Sequence, residues 1–305
     1  MKKLPNISLS FFSGLCLLMS CIRVDVADCP PLQLILEVHD KNYANIKDAV
    51  TLGVMQQKDD KLPFREYVQT ISFRVYDEQQ NVVYSQPNQT VTGDDQKLKV
   101  ELPASLPYGK YTVVAWGNRT QQSEGEKLSD EVKLEDIVSR EEDIYLGSSS
   151  FDYQYKHEEN CVELKRTKGK LLIMIENFPD VINHSTKNIE HIYSSVTPSW
   201  EYRYDIEKQT EYAWPERSNL VTQTLSAPSA LGTGSLLKMR FEERKDNGDI
   251  DLAPAGIKQP EDVTIALERN ALTIMKYQYN PDKGDFTILV YVNDEWQRVH
   301  SMEID

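Results

Sequence analysis

Residues 106–117 read Leu-Pro-Tyr-Gly-Lys-Tyr-Thr-Val-Val-Ala-Trp-Gly and hold a turn followed by a strand. Pro107 and Gly109 are residue types that favour a tight turn. The β-branched and aromatic residues that follow favour an extended chain over Lys110–Asn118. A turn that leads directly into such a run is typical of antiparallel β-structure, and the rest of the chain repeats this arrangement.

Upstream of this stretch, the same pattern occurs several times. Tyr67–Asp77 alternates apolar and polar side chains, and the polar turn Asp77–Asn81 separates it from a second apolar run at 82–84. These three segments predict a hairpin. Lys97–Leu102 alternates strictly, and Leu32–Val38 has the composition of a strand. The spacing of short strands and turns predicts an antiparallel sandwich or barrel.

Downstream of Asn118, the pattern of short strands and turns is interrupted before it resumes. The acidic stretch Gln121–Glu142 predicts a connection or a short helix. Ile144–Leu146 is interpreted as a closing strand that breaks at Gly147–Ser150. We place a domain boundary near Asn160, in a polar and charged segment.

The second half of the chain resembles the first in its strand pattern. Its predicted strands are Cys161–Arg166, Leu171–Ile175, Ile189–Val196, Leu220–Leu225, Leu236–Phe241, Val263–Leu267 and Phe286–Val292. No long stretch shows a sustained helical period. The sequence therefore predicts an all-β protein with two tandem domains, 21–159 and 160–305, of roughly seven strands each.

The first twenty residues have the features of an export signal. Lys2 and Lys3 form a basic start, and Leu9–Met19 is mostly apolar but shorter than the ~20 residues of a membrane-spanning helix. The segment ends Leu-Met-Ser-Cys at Cys21, which resembles a bacterial lipobox. We predict a lipoprotein signal peptide over 1–20 and an acyl lipid of the palmitate type on Cys21. An ordinary signal peptide or a buried N-terminal helix are the alternatives.

The net charge of the chain argues against one class of function, and its cysteines bear on disulfide formation. The 305 residues hold 34 Lys and Arg against 48 Asp and Glu, a net charge of −14. This acidic balance argues against nonspecific nucleic-acid binding, which requires a basic surface. Export favours an oxidising compartment, in which Cys29 and Cys161 can form a disulfide. Two free thiols are the alternative, because spacing alone does not fix the geometry.

The sequence carries no recognisable catalytic or metal-binding motif. Its five histidines lack metal-ligand spacing, and there is no Gly-x-Ser-x-Gly nucleophile elbow. The acidic turn Asp246–Asp251 lacks the chelating glutamate of an EF-hand loop at the required offset, and Gly232-Thr-Gly234 lacks the context of a dinucleotide site. We predict no enzyme activity, no cofactor and no metal.

Five aromatic residues stand out as a candidate interaction surface. Trp200, Tyr202, Tyr204, Tyr212 and Trp214 lie within fifteen residues of one another. Aromatic platforms bind sugars or partner proteins. Packing in a sheet interior is the alternative, because Tyr202 and Tyr204 fall on the same face of a strand.

Several motifs taken in order point to a known family. They are the lipobox at Cys21, Cys29-Pro30, Tyr43-Ala-Asn45 after the first strand, Ile71-Ser-Phe-Arg-Val-Tyr-Asp77, and residues 106–117. With these features the chain resembles the FimB-like anchor and minor-subunit family of fimbriae in Bacteroides-type bacteria. The resemblance is clearest up to Gly117 and only architectural beyond Cys161.

The resemblance implies two transthyretin-like β-sandwich domains in an outer-membrane lipoprotein at the base of a fimbrium. It also implies that the partners are other fimbrial subunits, joined by exchange of a β-strand. An added strand satisfies the free backbone groups of an incomplete sheet. A subunit that keeps its N-terminal strand, Leu32–Val38, tied to lipid at Cys21 is expected to stop growth and hold the fibre. A surface lipoprotein that binds glycans through the aromatic segment is the alternative function.

Overall fold

The computed structural model of the chain describes residues 32–119, 130–135, 143–154, 159–214 and 220–299. Within these ranges there is one α-helix, α1 (Ile46–Thr51), and two 3₁₀ turns, Phe64–Glu66 and Pro254–Gly256. The strands are β1 (Gln33–Val38), β2 (Thr70–Tyr76), β3 (Val82–Thr90), β4 (Lys97–Glu101), β5 (Gly109–Gly117), β6 (Val132–Lys133), β7 (Tyr145–Tyr153), β8 (Asn160–Arg166), β9 (Gly169–Glu176), β10 (His184–Val196), β11 (Tyr202–Ala213), β12 (Val221–Ser226), β13 (Ser235–Arg244), β14 (Ile250–Asp251), β15 (Val263–Ile265), β16 (Leu272–Asn280), β17 (Asp285–Val292) and β18 (Glu295–Arg298).

The first sheet, sheet I, has the strand order β3-β2-β5-β7-β8-β1-β4. Only Tyr145 and Leu146 of β7 pair with β8, so the sheet folds back on itself there and forms two layers. The apolar residues of β1 and β8 then share one core with those of β2 and β5. This layered arrangement buries one face of each layer, and among the described residues β3 and β4 remain its edge strands.

Two further sheets enclose a second core. Sheet II has the order β11-β10-β13-β14, with β15 also on β13 and β6 on β10, and sheet III has the order β12-β9-β16-β17-β18. Their shared core contains Leu171, Ile173, Phe241 and Tyr277. Trp116 of sheet I belongs to the same cluster of buried residues, so one face of sheet I also packs toward this core.

Helix α1 connects sheet I to the outer face of sheet III. Ile46 and Ala49 are buried against Leu172 and Ile274 of sheet III. The side chain of Asn45 replaces a missing strand partner, because its Oδ1 accepts from the backbone N–H of Leu272 at 2.8 Å and its Nδ2 donates to the Leu272 carbonyl at 2.9 Å. This short helix was not predicted, since six residues are too few to show a helical period.

The all-β sandwich prediction is confirmed. β1, β4, β5 and the β2–β3 hairpin form where the alternating segments predicted them. The pairing is not purely antiparallel, because β1 pairs with β8 and β9 pairs with β16 in parallel. Strand β8, which begins at the predicted domain boundary, is thereby part of sheet I.

The predicted break after Leu146 is wrong. Strand β7 continues through Gly147–Ser150 to Tyr153 because it pairs with β5 along its whole length. Gly147 has a packing role instead: a Cβ there would lie 2.7 Å from the carbonyl oxygen of Glu163 on the crossing strand. Of the stretch 121–142 only 130–135 is described, and it contains the short strand β6 rather than a helix.

Among the described residues, no helix is both long enough and apolar enough to cross a bilayer.

Candidate functional site

Strand β1 occupies an interior position in sheet I. It pairs antiparallel with β4 on one side and parallel with β8 on the other. Leu34 and Leu36 point into the core and are 0% exposed. Burial of each leucine contributes roughly 2 kcal/mol, so the strand is firmly held. Both of its edges are hydrogen-bonded within the chain, which leaves no vacancy for a strand from another molecule at this position.

A cluster of charged side chains lies just beyond the end of β1. Arg166 Nε lies 3.2 Å from Asp143 Oδ2, and Arg269 Nη1 lies 2.5 Å from Asp40 Oδ2. The backbone N–H of Arg166 donates to Asp40 Oδ2 at 2.9 Å, and the hydroxyl of Tyr43 donates to Asp143 Oδ2 at 3.1 Å. Because these residues come from the ends of β1 and β8, from the approach to β7 and from the loop before β16, this Arg166 cluster ties sheet I to sheet III.

Burial and the neighbouring cations shift the pKa values of the two carboxyl groups in the Arg166 cluster in opposite directions. Burial raises the pKa of Asp143, and Arg166 opposes this only in part. Burial also acts to raise the pKa of Asp40, but hydrogen bonds from His39 and Arg269 outweigh it and lower the pKa. Asp40 is therefore ionised in the folded protein. Such a network is costly to desolvate, and removal of one member leaves the others without compensation.

The structure separates the five predicted aromatic residues into different environments. Trp200 and Tyr202 line a pocket of about 660 Å³ together with Leu231 and Arg269. The Arg269 guanidinium lies 5.3 Å from the centre of the Trp200 ring, so this ring already has a cationic partner. The hydroxyl of Tyr202 donates to the Thr167 carbonyl at 2.7 Å.

The other three aromatic residues differ in exposure. Trp214 is 3% exposed and its Nε1 donates to Ser185 Oγ at 3.0 Å, so it belongs to the core. The ring of Tyr212 lies 4.5 Å from that of Trp214 and is 44% exposed, and Tyr204 is 59% exposed. The interaction surface stays a prediction, and only Tyr204 and Tyr212 present large exposed areas for it.

The cysteine predictions fall mostly outside the described residues. Cys21 and Cys29 lie there, so lipidation and the disulfide stay predictions. Cys161 lies on β8 and is exposed. Partial burial and the neighbouring Glu37 carboxylate raise the pKa of its thiol to about 11. A raised pKa keeps the thiol protonated near neutral pH and makes it a poor nucleophile.

A basic pocket was missed at the sequence level. Lys168, Lys187 and Lys208 line a cavity of about 920 Å³ between the edge strands β11 and β12, and we call it the lysine pocket. The only signal in the sequence is that Lys187 takes an inward position on β10, in phase with the buried Ser185 and Ile189. In the part of the chain that the structure describes, no group of three or more His, Cys, Asp or Glu could hold a metal ion.

The sequence matches the family model of the fimbrillin-A associated anchor proteins Mfa1 and Mfa2 over residues 26–301. The chain belongs to this anchor family. Membership confirms the resemblance found in the motifs, and it places the protein in a class of structural fimbrial proteins rather than enzymes. A fimbrial or adhesive role at the cell surface follows from it.

Solved structures show the same fold as this anchor-family chain. A protein of Bacteroides thetaiotaomicron, provisionally assigned as an adhesin, is 16% identical with a TM-score of 0.54, covering 90% of this chain and 100% of its own. A provisional adhesin of Bacteroides ovatus is 13% identical, with a TM-score of 0.56 and coverage of 92% and 98%. A Bacteroides thetaiotaomicron protein provisionally assigned to polysaccharide binding is 14% identical, with a TM-score of 0.56 and coverage of 88% and 99%. A search of curated proteins finds no match.

Proposed function

We propose that this protein is a lipid-anchored fimbrial subunit that attaches a fimbrium to the outer membrane and joins other fimbrillins by exchange of a β-strand. The lipid is carried by Cys21, at the end of the lipobox segment. Acyl chains contribute roughly 0.8 kcal/mol for each buried CH₂ group, so two or more chains hold a protein firmly in a bilayer.

The position of β1 is the observation that supports this proposal most strongly. The strand begins twelve residues after Cys21 and is bonded on both edges to β4 and β8 of the same chain. A subunit whose N-terminal strand completes its own sheet does not need a neighbour's strand at that place. The lipid on Cys21 is therefore joined by a short segment to β1, which is buried in the core. A subunit that holds a fibre to the membrane requires such a firm connection.

The Arg166 cluster supports the same role. A fimbrium pulls on its anchor, and the load passes from the membrane through β1 into the rest of the chain. The ion pair of Asp40 with Arg269 links the end of β1 to the loop before β16. Arg166, at the end of β8, pairs with Asp143 before β7 and donates to Asn270 Oδ1 in the same loop before β16. Such a link opposes separation of sheet I from sheet III.

Deletion of the gene in the bacterium that makes the protein is expected to release fimbriae into the medium. The physical reason is that fibres still assemble from the other subunits but lack a lipid-bearing end. Quantitative blotting of a main fibre subunit in cells and medium measures the effect, and expression of the intact gene in the deletion strain is the control. If the fimbriae of the deletion strain remain attached to cells in wild-type amounts, the anchor proposal is wrong.

A further inference from the structure

The lysine pocket lies at the open side of the C-terminal core, where sheets II and III each end in an edge strand. Residues 207–212 of β11 form one wall and residues 222–225 of β12 form the other. Neither strand has a second neighbour among the described residues. A volume of about 920 Å³ lies within the range of small-molecule sites, which is roughly 300–1,000 Å³.

Two of the pocket's lysines are buried and form no ion pair with a described residue. Lys168 is 3% exposed and Lys187 is 6% exposed. The ammonium of Lys187 donates to Thr224 Oγ1, and no described carboxylate lies within ion-pair distance of either lysine. Burial, with Lys208 nearby, lowers the pKa of Lys187 to about 8, and burial lowers that of Lys168 to about 8 as well. A buried cation of this kind is stabilised by a bound anion.

The acidic residues around the pocket have other partners or face solvent. Glu135 lies 3.8 Å from Lys208, and Glu211 lies 3.0 Å from Arg244. Glu207 is exposed at the rim. Asp143 and Glu135 act to raise the pKa of Lys168, but burial outweighs them, and the ion pairs of these two carboxylates are with Arg166 and Lys208. None of these groups neutralises Lys187.

The remaining lining groups are mostly hydroxyls and amides. Thr222 is 6% exposed, and its Oγ1 has no hydrogen-bond partner among the described residues. A buried hydroxyl without a partner is costly unless a ligand or water satisfies it. Thr210 and Thr224 add further hydroxyls, and the half-exposed ring of Tyr212 stands at the edge of the pocket. Gln209 and Gln223 alternate with these threonines on their strands and are exposed at the rim. Several neutral hydrogen-bonding groups beside an aromatic ring suit a polyhydroxylated ligand.

We propose that the lysine pocket binds a saccharide unit that carries a carboxylate, such as a uronic acid residue of an acidic glycan. The carboxylate lies against Lys168 and Lys187, and the sugar hydroxyls lie against Thr222 and the neutral side chains. A peptide strand fits the pocket less well, because its alternate side chains need apolar positions and the described lining offers only Leu225, Met239 and the ring of Tyr212. This activity goes beyond membrane attachment and does not depend on it.

The test is calorimetric titration of the full-length protein in detergent with sodium D-glucuronate. D-glucose, sodium sulfate and N-acetyl-glutamate serve as comparison probes. Glucuronate is expected to bind at least tenfold more tightly than any of the three, since only it supplies both the carboxylate and the hydroxyls. Equal binding of sulfate or N-acetyl-glutamate overturns the saccharide assignment in favour of a general anion site or an acidic peptide, and absence of glucuronate binding overturns the site itself.

Substitution of a pocket lysine tests whether glucuronate binds in the lysine pocket. Lys187→Met is expected to weaken glucuronate binding at least tenfold while leaving the melting temperature unchanged or higher, because it removes a buried charge. Lys110→Met, at an exposed position on β5, is the control that removes one charge away from the pocket and keeps wild-type affinity. If Lys187→Met binds glucuronate like the wild type, the assignment is wrong.

The pH dependence of glucuronate binding to the wild-type protein is a further test that needs no variant. Since both buried lysines have a pKa near 8, they are charged at pH 6–7 and lose their protons as the pH rises through 8. Glucuronate affinity is therefore expected to be constant at pH 6–7 and to fall at least tenfold by pH 9.5. An affinity that does not change over this range contradicts a role for Lys168 and Lys187.

Discussion

Substitution of Cys21→Ser, in a chain exported behind a signal peptide that is cleaved without lipidation, is expected to move the protein from the outer-membrane fraction to the soluble fraction. The acyl chains are the proposed attachment, and the chain's net charge of −14 does not favour binding to an anionic membrane. We expect the soluble share to rise by about 100-fold or more, because even one acyl chain provides a membrane association constant on the order of 10⁴ M⁻¹.

Fractionation with quantitative blotting measures this change, and incorporation of labelled palmitate reports the lipid directly. Cys161→Ser is the matched control, because it removes a cysteine from the exposed position on β8 and leaves the lipobox intact. It is expected to stay in the membrane fraction. A Cys21→Ser protein that remains membrane-bound after a high-salt wash would show that lipid on this residue is not the attachment.

Substitution of Arg166→Ala is expected to lower the free energy of unfolding by about 3–5 kcal/mol. Arg166 is 6% exposed, and its removal leaves the buried Asp143 without its cation. It also removes the hydrogen bonds from the guanidinium to Asn270 Oδ1 at 3.0 Å and to the Lys41 carbonyl at 3.3 Å. The link between sheet I and sheet III weakens at the same time. Urea unfolding followed by circular dichroism measures the change.

Arg240→Ala is the control for this prediction. Arg240 also pairs with a carboxylate, Asp262 at 2.7 Å, but the two side chains are 37% and 33% exposed. Such a pair contributes about 1 kcal/mol or less. A similar loss of stability in both variants would mean that burial of the Arg166 cluster does not make it a stronger link than an ordinary surface ion pair.

Local patterns predicted the strands better than their partners. The alternation in Lys97–Leu102 and in residues 106–117 was sufficient to predict β4 and β5, because each strand has its own buried face. Alternation does not reveal which strand lies beside which. The parallel pairing of β1 with β8 joins residues more than 120 positions apart, and it brings Asp40 to the backbone of Arg166. The Arg166 cluster could not be predicted for this reason.

Residue type alone also could not separate exposed from buried members of the aromatic segment. Trp214 is in the core, whereas Tyr204 and Tyr212 are exposed on β11, an edge strand. The same limitation applies to Lys187, which is buried because its strand position faces the space between two sheets. A lysine in phase with buried residues on a strand is a usable signal, but it requires the phase of β10 to be known first.

In-cell cross-linking of the intact protein, followed by affinity purification and mass spectrometry, tests the anchor role most directly. The same experiment on the unlipidated Cys21→Ser protein is the control for contacts that do not depend on membrane attachment. The account predicts that other fimbrial subunits are recovered with the intact protein in near-stoichiometric amounts, with cross-linked peptides that identify the joining surface. Recovery of polysaccharide-uptake proteins alone, or of no protein partner, would contradict it.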